Sequence, residues 1–93
     1  MHEVIKKMNE EEKIKRIKAK KNEIEKRIEE IKEEVREKYG VRYVAFKVYT
    51  PCGEIVADRY RLGDYASEYI HFYNNENYIA MVNIFAIEKI GTT

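Results

Sequence analysis

Six apolar residues constrain this chain more than anything else in it. Ile14, Ile17, Ile24, Ile28, Ile31 and Val35 are separated by 3, 7, 4, 3 and 4 positions, and Lys21 occupies the step that the seven-residue gap skips. Such spacings place them on the a and d positions of a heptad, one stripe along an amphipathic α-helix. The stripe predicts a long helix over 9–40. Asn9 stands as its N-cap, Glu12 as the capping-box carboxylate, and Glu10, Glu11 and Glu12 complement the positive end of the helix dipole. Gly40 closes it, with Arg36 and Lys38 in the last turn. Residues 1–8 carry Val4, Ile5 and Met8 out of frame with the heptads and read as a flexible arm or a short helical turn.

After Gly40 the hydrophobic period changes. Residues 41–50, 54–62, 66–73 and 78–90 read as strands, rich in Val, Ile, Tyr and Phe. A Thr50-Pro51-Cys52-Gly53 turn, a Gly63-Asp64 break and a polar Asn74-Asn75-Glu76-Asn77 loop separate them. The predicted fold is α+β, a single domain over 1–93. In it a long N-terminal amphipathic helix packs on a four-stranded antiparallel sheet formed by residues 41–93 as two successive hairpins. The first and fourth strands are apolar on both faces, which favours the strand order 2-1-4-3, with a 1-2-3-4 meander as the alternative. Alternation assigns Val44, Phe46, Val48, Val56, Tyr60, Leu62, Ile70, Phe72, Ile79, Met81, Phe85 and Ile87 to the helix side, with Asp58 the one polar exception. Tyr43, Tyr49, Ile55, Arg59, Arg61, Tyr69, His71, Tyr73, Tyr78, Val82 and Ile84 fall on the other side.

A mismatch of lengths follows. Thirty helical residues span about 45 Å, whereas a ten-residue strand spans about 33 Å. Gly40 runs almost directly into the first strand, so the overhanging end is the N-terminal one. Ile14 and Ile17 then lie beyond the sheet, each forfeiting about 1.5–3 kcal/mol if left in water. Together with Tyr43, Tyr69, Tyr73, Val82 and Ile84 on the outer sheet face, they are the expected interface of a homo-oligomer, a dimer or larger. A parallel in-register helix pair would set Arg27 against Lys32 and Lys13 against Lys18. An antiparallel pair, or a partner's sheet over the overhang, fits better.

Charge narrows the chemistry locally rather than globally. Charged residues make up 38% of the chain, yet 18 basic and 17 acidic residues leave a net charge of +1, so the total points to no partner. The abundance of Lys, Glu and Ile leans toward a protein of hot environments, where surface ion pairs cost less. Lys13, Lys15, Arg16, Lys18, Lys20 and Lys21 form an acid-free run. With Arg59 and Arg61 they are the candidate nucleic-acid-binding residues, suited to salt-sensitive, sequence-tolerant phosphate contacts. The competing reading is a solvated helix face with pairs such as Glu11–Lys15 and Glu12–Arg16. A basic stretch entering heptads is similar in layout to basic-zipper factors. The Asn and Ala-Ala spacing of their reading helix is missing here, and heptad Ile residues run through the basic part.

Tyr43, Tyr69, Tyr73, Arg59, Arg61 and His71 form a second constellation. Interleaved Tyr and Arg suit a protein interface first and base stacking second. For catalysis the inventory is thin. Asp58, Glu68 and His71 divide between the two predicted sheet faces, and no Ser-His-Asp spacing, HExxH motif or phosphate loop occurs. The lone Cys52 rules out an internal disulfide and reads as an exposed turn residue. No cofactor and no metal is expected. With no apolar run near the roughly 20 residues of a membrane span, the chain is expected to be cytoplasmic and off the membrane. The expected function is a small non-enzymatic binding and assembly module, with sequence-tolerant nucleic-acid binding as the alternative.

Overall fold

The structure, a computed structural model, describes the backbone of residues 2–93 and the side chains of residues 10–93. Helix α1 runs His2–Tyr39 without interruption. At 1.5 Å per residue its 38 residues span about 57 Å, which matches the longest dimension of the molecule, 57 × 24 × 21 Å. Asn9 is therefore an interior helical residue and not a cap. No Gly or Pro lies between His2 and Asn9, so nothing there ends a helix from either direction. The side chains of Val4, Ile5 and Met8 lie outside the described residues. Gly40 ends the helix as expected: its φ of +64° is readily adopted by glycine, and its N–H donates to the Arg36 carbonyl at 2.8 Å.

Six strands follow: β1 (Phe46–Thr50), β2 (Gly53–Ala57), β3 (Arg59–Leu62), β4 (Tyr69–Asn74), β5 (Asn77–Asn83) and β6 (Lys89–Thr92). They form two three-stranded antiparallel sheets, β2-β1-β6 and β3-β4-β5, not the single four-stranded sheet expected. The α+β class holds. Two of the predicted strands each bend and serve both sheets. Residues 54–62 break at Asp58 into β2 and β3, and residues 78–90 break at a 3-10 turn, Ile84–Ala86, into β5 and β6. Strands that switch sheets at a bend are the usual corners of two packed sheets. The pairings of the order 2-1-4-3 all occur in pieces, and β3 with β4 adds a further one.

Alternation fails at those corners because parity survives only within an unbroken strand. Ile55 and Ala57 point inward before the Asp58 bend, and Tyr60 and Leu62 point inward after it. Val56, Ile79, Met81 and Phe85, expected in the core, are exposed. Ile84, expected on the outside, is fully buried, and Val82 packs against the core.

The core joins both sheets to the helix. Ile17, Ile24, Ile28 and Ile31 bury with Phe46, Val48, Ile70 and Phe72, and the Phe46 and Phe72 rings meet edge to face at 6.0 Å between the sheets. The heptad stripe thus faces its own chain. Ile17 is 2% exposed, which corrects the overhang argument for that residue. The 63–68 loop and the 3-10 turn lengthen the body alongside the helix. Lys13 pairs with Glu68 at 3.3 Å, and Lys21 Nζ donates to the Asp64 carbonyl at 2.6 Å. Ile14 is half-buried there.

Candidate interaction surface

Strand β4 reads Tyr69-Ile70-His71-Phe72-Tyr73-Asn74. Ile70 and Phe72 are fully buried, so alternation turns Tyr69, His71 and Tyr73 to the outer face. The register extends that face into two rows across the sheet: Arg59, Tyr73 and Tyr78 in one, Arg61, His71 and Met81 in the other. No carboxylate stands in either row. Tyr73 and Tyr78 meet edge to face with ring centroids 5.5 Å apart. His71 Nδ1 and the Tyr78 hydroxyl share a hydrogen bond at 3.0 Å, so these rings hold one another in place.

Local chemistry sets the shape of this sheet. Asn75 and Glu76 both adopt positive φ, +52° and +70°, which makes a two-residue hairpin turn between β4 and β5 whose twist suits the strands. Asp58 Oδ2 accepts the Asn75 N–H at 3.1 Å, tying that turn to the β2–β3 bend. Beyond it the register shifts so that Tyr78 and Ile79 together face Tyr73, a bulge that aims both side chains outward.

The sequence-predicted residues divide between this face and elsewhere. Arg59, Arg61, Tyr69 and Tyr73 come together on it. Tyr43 does not: β1 starts at Phe46, and Tyr43 stands 85% exposed in the irregular segment after the helix. Ile17 and Ile84 belong to the chain's own core and cannot also serve as interface; Val82 packs against that core. Phe85, Ile79 and Met81, read from the sequence as core, are exposed.

The basic run of the helix divides between its faces and its partners. Lys13 is paired with Glu68 and Lys20 with Glu23 at 4.0 Å, while Lys21 is 6% exposed and bonded to the Asp64 carbonyl. Arg16 and Lys18 are two residues apart, about 200° around the axis, and Lys15 points almost directly away from the Ile17 stripe. Lys13, Arg16 and Lys20 share one side of the helix, whereas Lys15 and Lys18 turn to the other, so the six cations do not all lie on one face. Arg59 and Arg61 lie on the outer face of β3, on the sheet rather than on the helix.

Asp58, Glu68 and His71 are spent separately. Asp58 holds the Asn75 turn, Glu68 bonds Lys13 and Asn83, and His71 bonds Tyr78. Among the described residues no three His, Cys, Asp or Glu side chains are placed to hold a metal ion, and no helix is long and apolar enough to cross a membrane. The grooves are open ones; a cleft of about 660 Å³ past the helix end gathers Lys32, Arg36, Arg42 and Arg59 beside Asp58 and Glu76. Compared with protein-family models, with curated proteins and with solved structures, the chain matches none.

Proposed function

We propose that this protein is a non-enzymatic binding and assembly module that works as a homo-oligomer and presents the outer face of the β3-β4-β5 sheet for recognition. The observation that carries this reading is the composition of that face. Tyr69, Tyr73, Tyr78, Ile79 and Met81 lie beside Arg59 and Arg61 on one side of three strands, and Tyr69, Tyr78, Ile79 and Met81 are exposed. Tyr and Arg are the residue types that dominate the energetics of protein interfaces. A contiguous apolar patch on a small domain marks an interaction site.

Light scattering at micromolar concentration tests the assembly. A mass of two or more chains is expected, and a single-chain mass of 11.2 kDa would remove the homo-oligomer from the proposal.

Sequence-tolerant nucleic-acid binding is the second reading, supported by the Arg59/Arg61 pair among tyrosines and by Lys13, Arg16 and Lys20 on one side of the helix. Titration of a labelled oligonucleotide at low and high salt tests it. Binding that weakens steeply with salt and is lost in an Arg59→Glu, Arg61→Glu variant would favour it over the first.

A further inference from the structure

We infer that two copies of this chain join edge to edge through β5, in antiparallel pairing about Ala80, to make one continuous six-stranded sheet. The inference rests on the homo-oligomer reading above and deepens it by naming the seam.

The free edges of the two sheets are not alike. Each sheet has two outer strands, and three of the four carry charge: Glu54 in β2, Arg59 and Arg61 in β3, Lys89 in β6. Charged residues on short edge strands are how proteins discourage pairing with other chains. Strand β5 departs from that pattern. Among the described residues it pairs only with β4, is the longest strand at seven residues, and reads Asn-Tyr-Ile-Ala-Met-Val-Asn with neither a charge nor a proline. From Asn77 through Ala86 no charged residue occurs, in a chain that is 38% charged.

The backbone groups of β5 are also aimed correctly. The Ile84 N–H donates to the Glu68 carbonyl at 2.7 Å. Along the register that continues from this pair, Val82 faces Ile70 and Ala80 faces Phe72. In an antiparallel ladder directly opposed residues alternate between bonded and non-bonded pairs. Val82 and Ala80 therefore direct their amides and carbonyls to β4, while Met81 and Asn83 direct theirs to the open edge.

The strand is complementary to itself. Antiparallel pairing about Ala80 sets Ile79 opposite Met81 of the second copy, and the bulge at Tyr78 and Ile79 ends the matched register beyond them. Apolar meets apolar there, and no like charges oppose. The exposed Ile79 and Met81 side chains become cross-strand neighbours on the outer face. The Arg59/Arg61 rows then lie at the two far sides of the joined sheet, free to contact a partner.

Three variants and one mass measurement test the seam. Met81→Lys places a charge on the edge, and Met81→Pro removes an N–H that β4 does not use. Circular dichroism shows whether each variant remains folded. The wild-type protein is expected to scatter as two chains at micromolar concentration and both variants at half that mass. In the third variant Ala80→Cys is combined with Cys52→Ser. Its two thiols would face one another across the axis as a non-bonded pair, and mild oxidation is expected to link the chains. A wild-type protein of single-chain mass overturns both this inference and the homo-oligomer reading. A wild-type dimer that folded Met81→Lys leaves intact, and that Ala80→Cys does not cross-link, overturns the β5 seam alone.

Discussion

The ammonium of Lys21 donates to the main-chain carbonyl of Asp64 across 2.6 Å, fastening the middle of the helix to the loop between β3 and β4. The Lys21 side chain is 6% exposed. Its aliphatic stem continues the isoleucine stripe while its charged tip serves a carbonyl 43 positions away in sequence.

Replacing Lys21 with Met separates stem from tip. A hydrogen bond involving a charged group contributes about 1.5–3 kcal/mol, so Lys21→Met is expected to lower stability by that order in urea denaturation. The sign is diagnostic: a lysine merely tolerated in an apolar seam would give a gain on the same substitution.

Ile17 and Ile14 lie three residues apart with different surroundings. Ile17 is buried in the chain's own core, so Ile17→Ala is expected to cost about 2–5 kcal/mol. The half-buried Ile14 is expected to cost less than half as much on the same change. Both are read from urea denaturation at a concentration low enough to hold a single species. Equal small losses would mean that the 63–68 loop does not cover Ile17.

Glu76 holds a φ of +70° in the β4–β5 turn, a conformation that strains a residue bearing a Cβ by about 1–2 kcal/mol. Glu76→Gly creates the Asn-Gly pair favoured for such turns. After allowance for glycine's greater freedom in the unfolded chain, a net gain of about 0.5–1 kcal/mol is expected, seen as a rise of a few degrees in Tm.

Tyr60 lies half-buried beside the helix, and its phenol pKa is raised above the usual 10.0, first by burial and then by the negative charges of Glu25 and Glu29. The folded state therefore holds this proton more tightly than the unfolded state. The resulting stability is fully present below pH 10 and is lost as pH rises through the higher folded value. Urea denaturation between about pH 9 and 11 is expected to show a steeper decline for the wild-type protein than for Tyr60→Phe. Superimposable pH profiles would place Tyr60 in open solvent.

The local periodicity of the chain determined the helix, its inward face, its end at Gly40 and the antiparallel α+β class, because each follows from neighbours three, four or two positions apart. The Thr50–Gly53 turn was legible for the same reason: Thr50 Oγ1 accepts from the Cys52 N–H at 3.2 Å and donates to the Gly53 carbonyl at 2.9 Å. Half of the outer face was readable too, since Tyr69, His71 and Tyr73 alternate cleanly with Ile70 and Phe72. Tertiary structure decided the rest. A bend at Asp58 and a single 3-10 turn divided one sheet into two and shifted parity across each corner, so that Ile84 lies inward and Ile79 and Met81 lie outside. Nothing in a period-two pattern marks the residue where a strand turns a corner, because the corner is set by how two sheets share one core. That packing covered Ile17 and left β5 as the long uncharged edge.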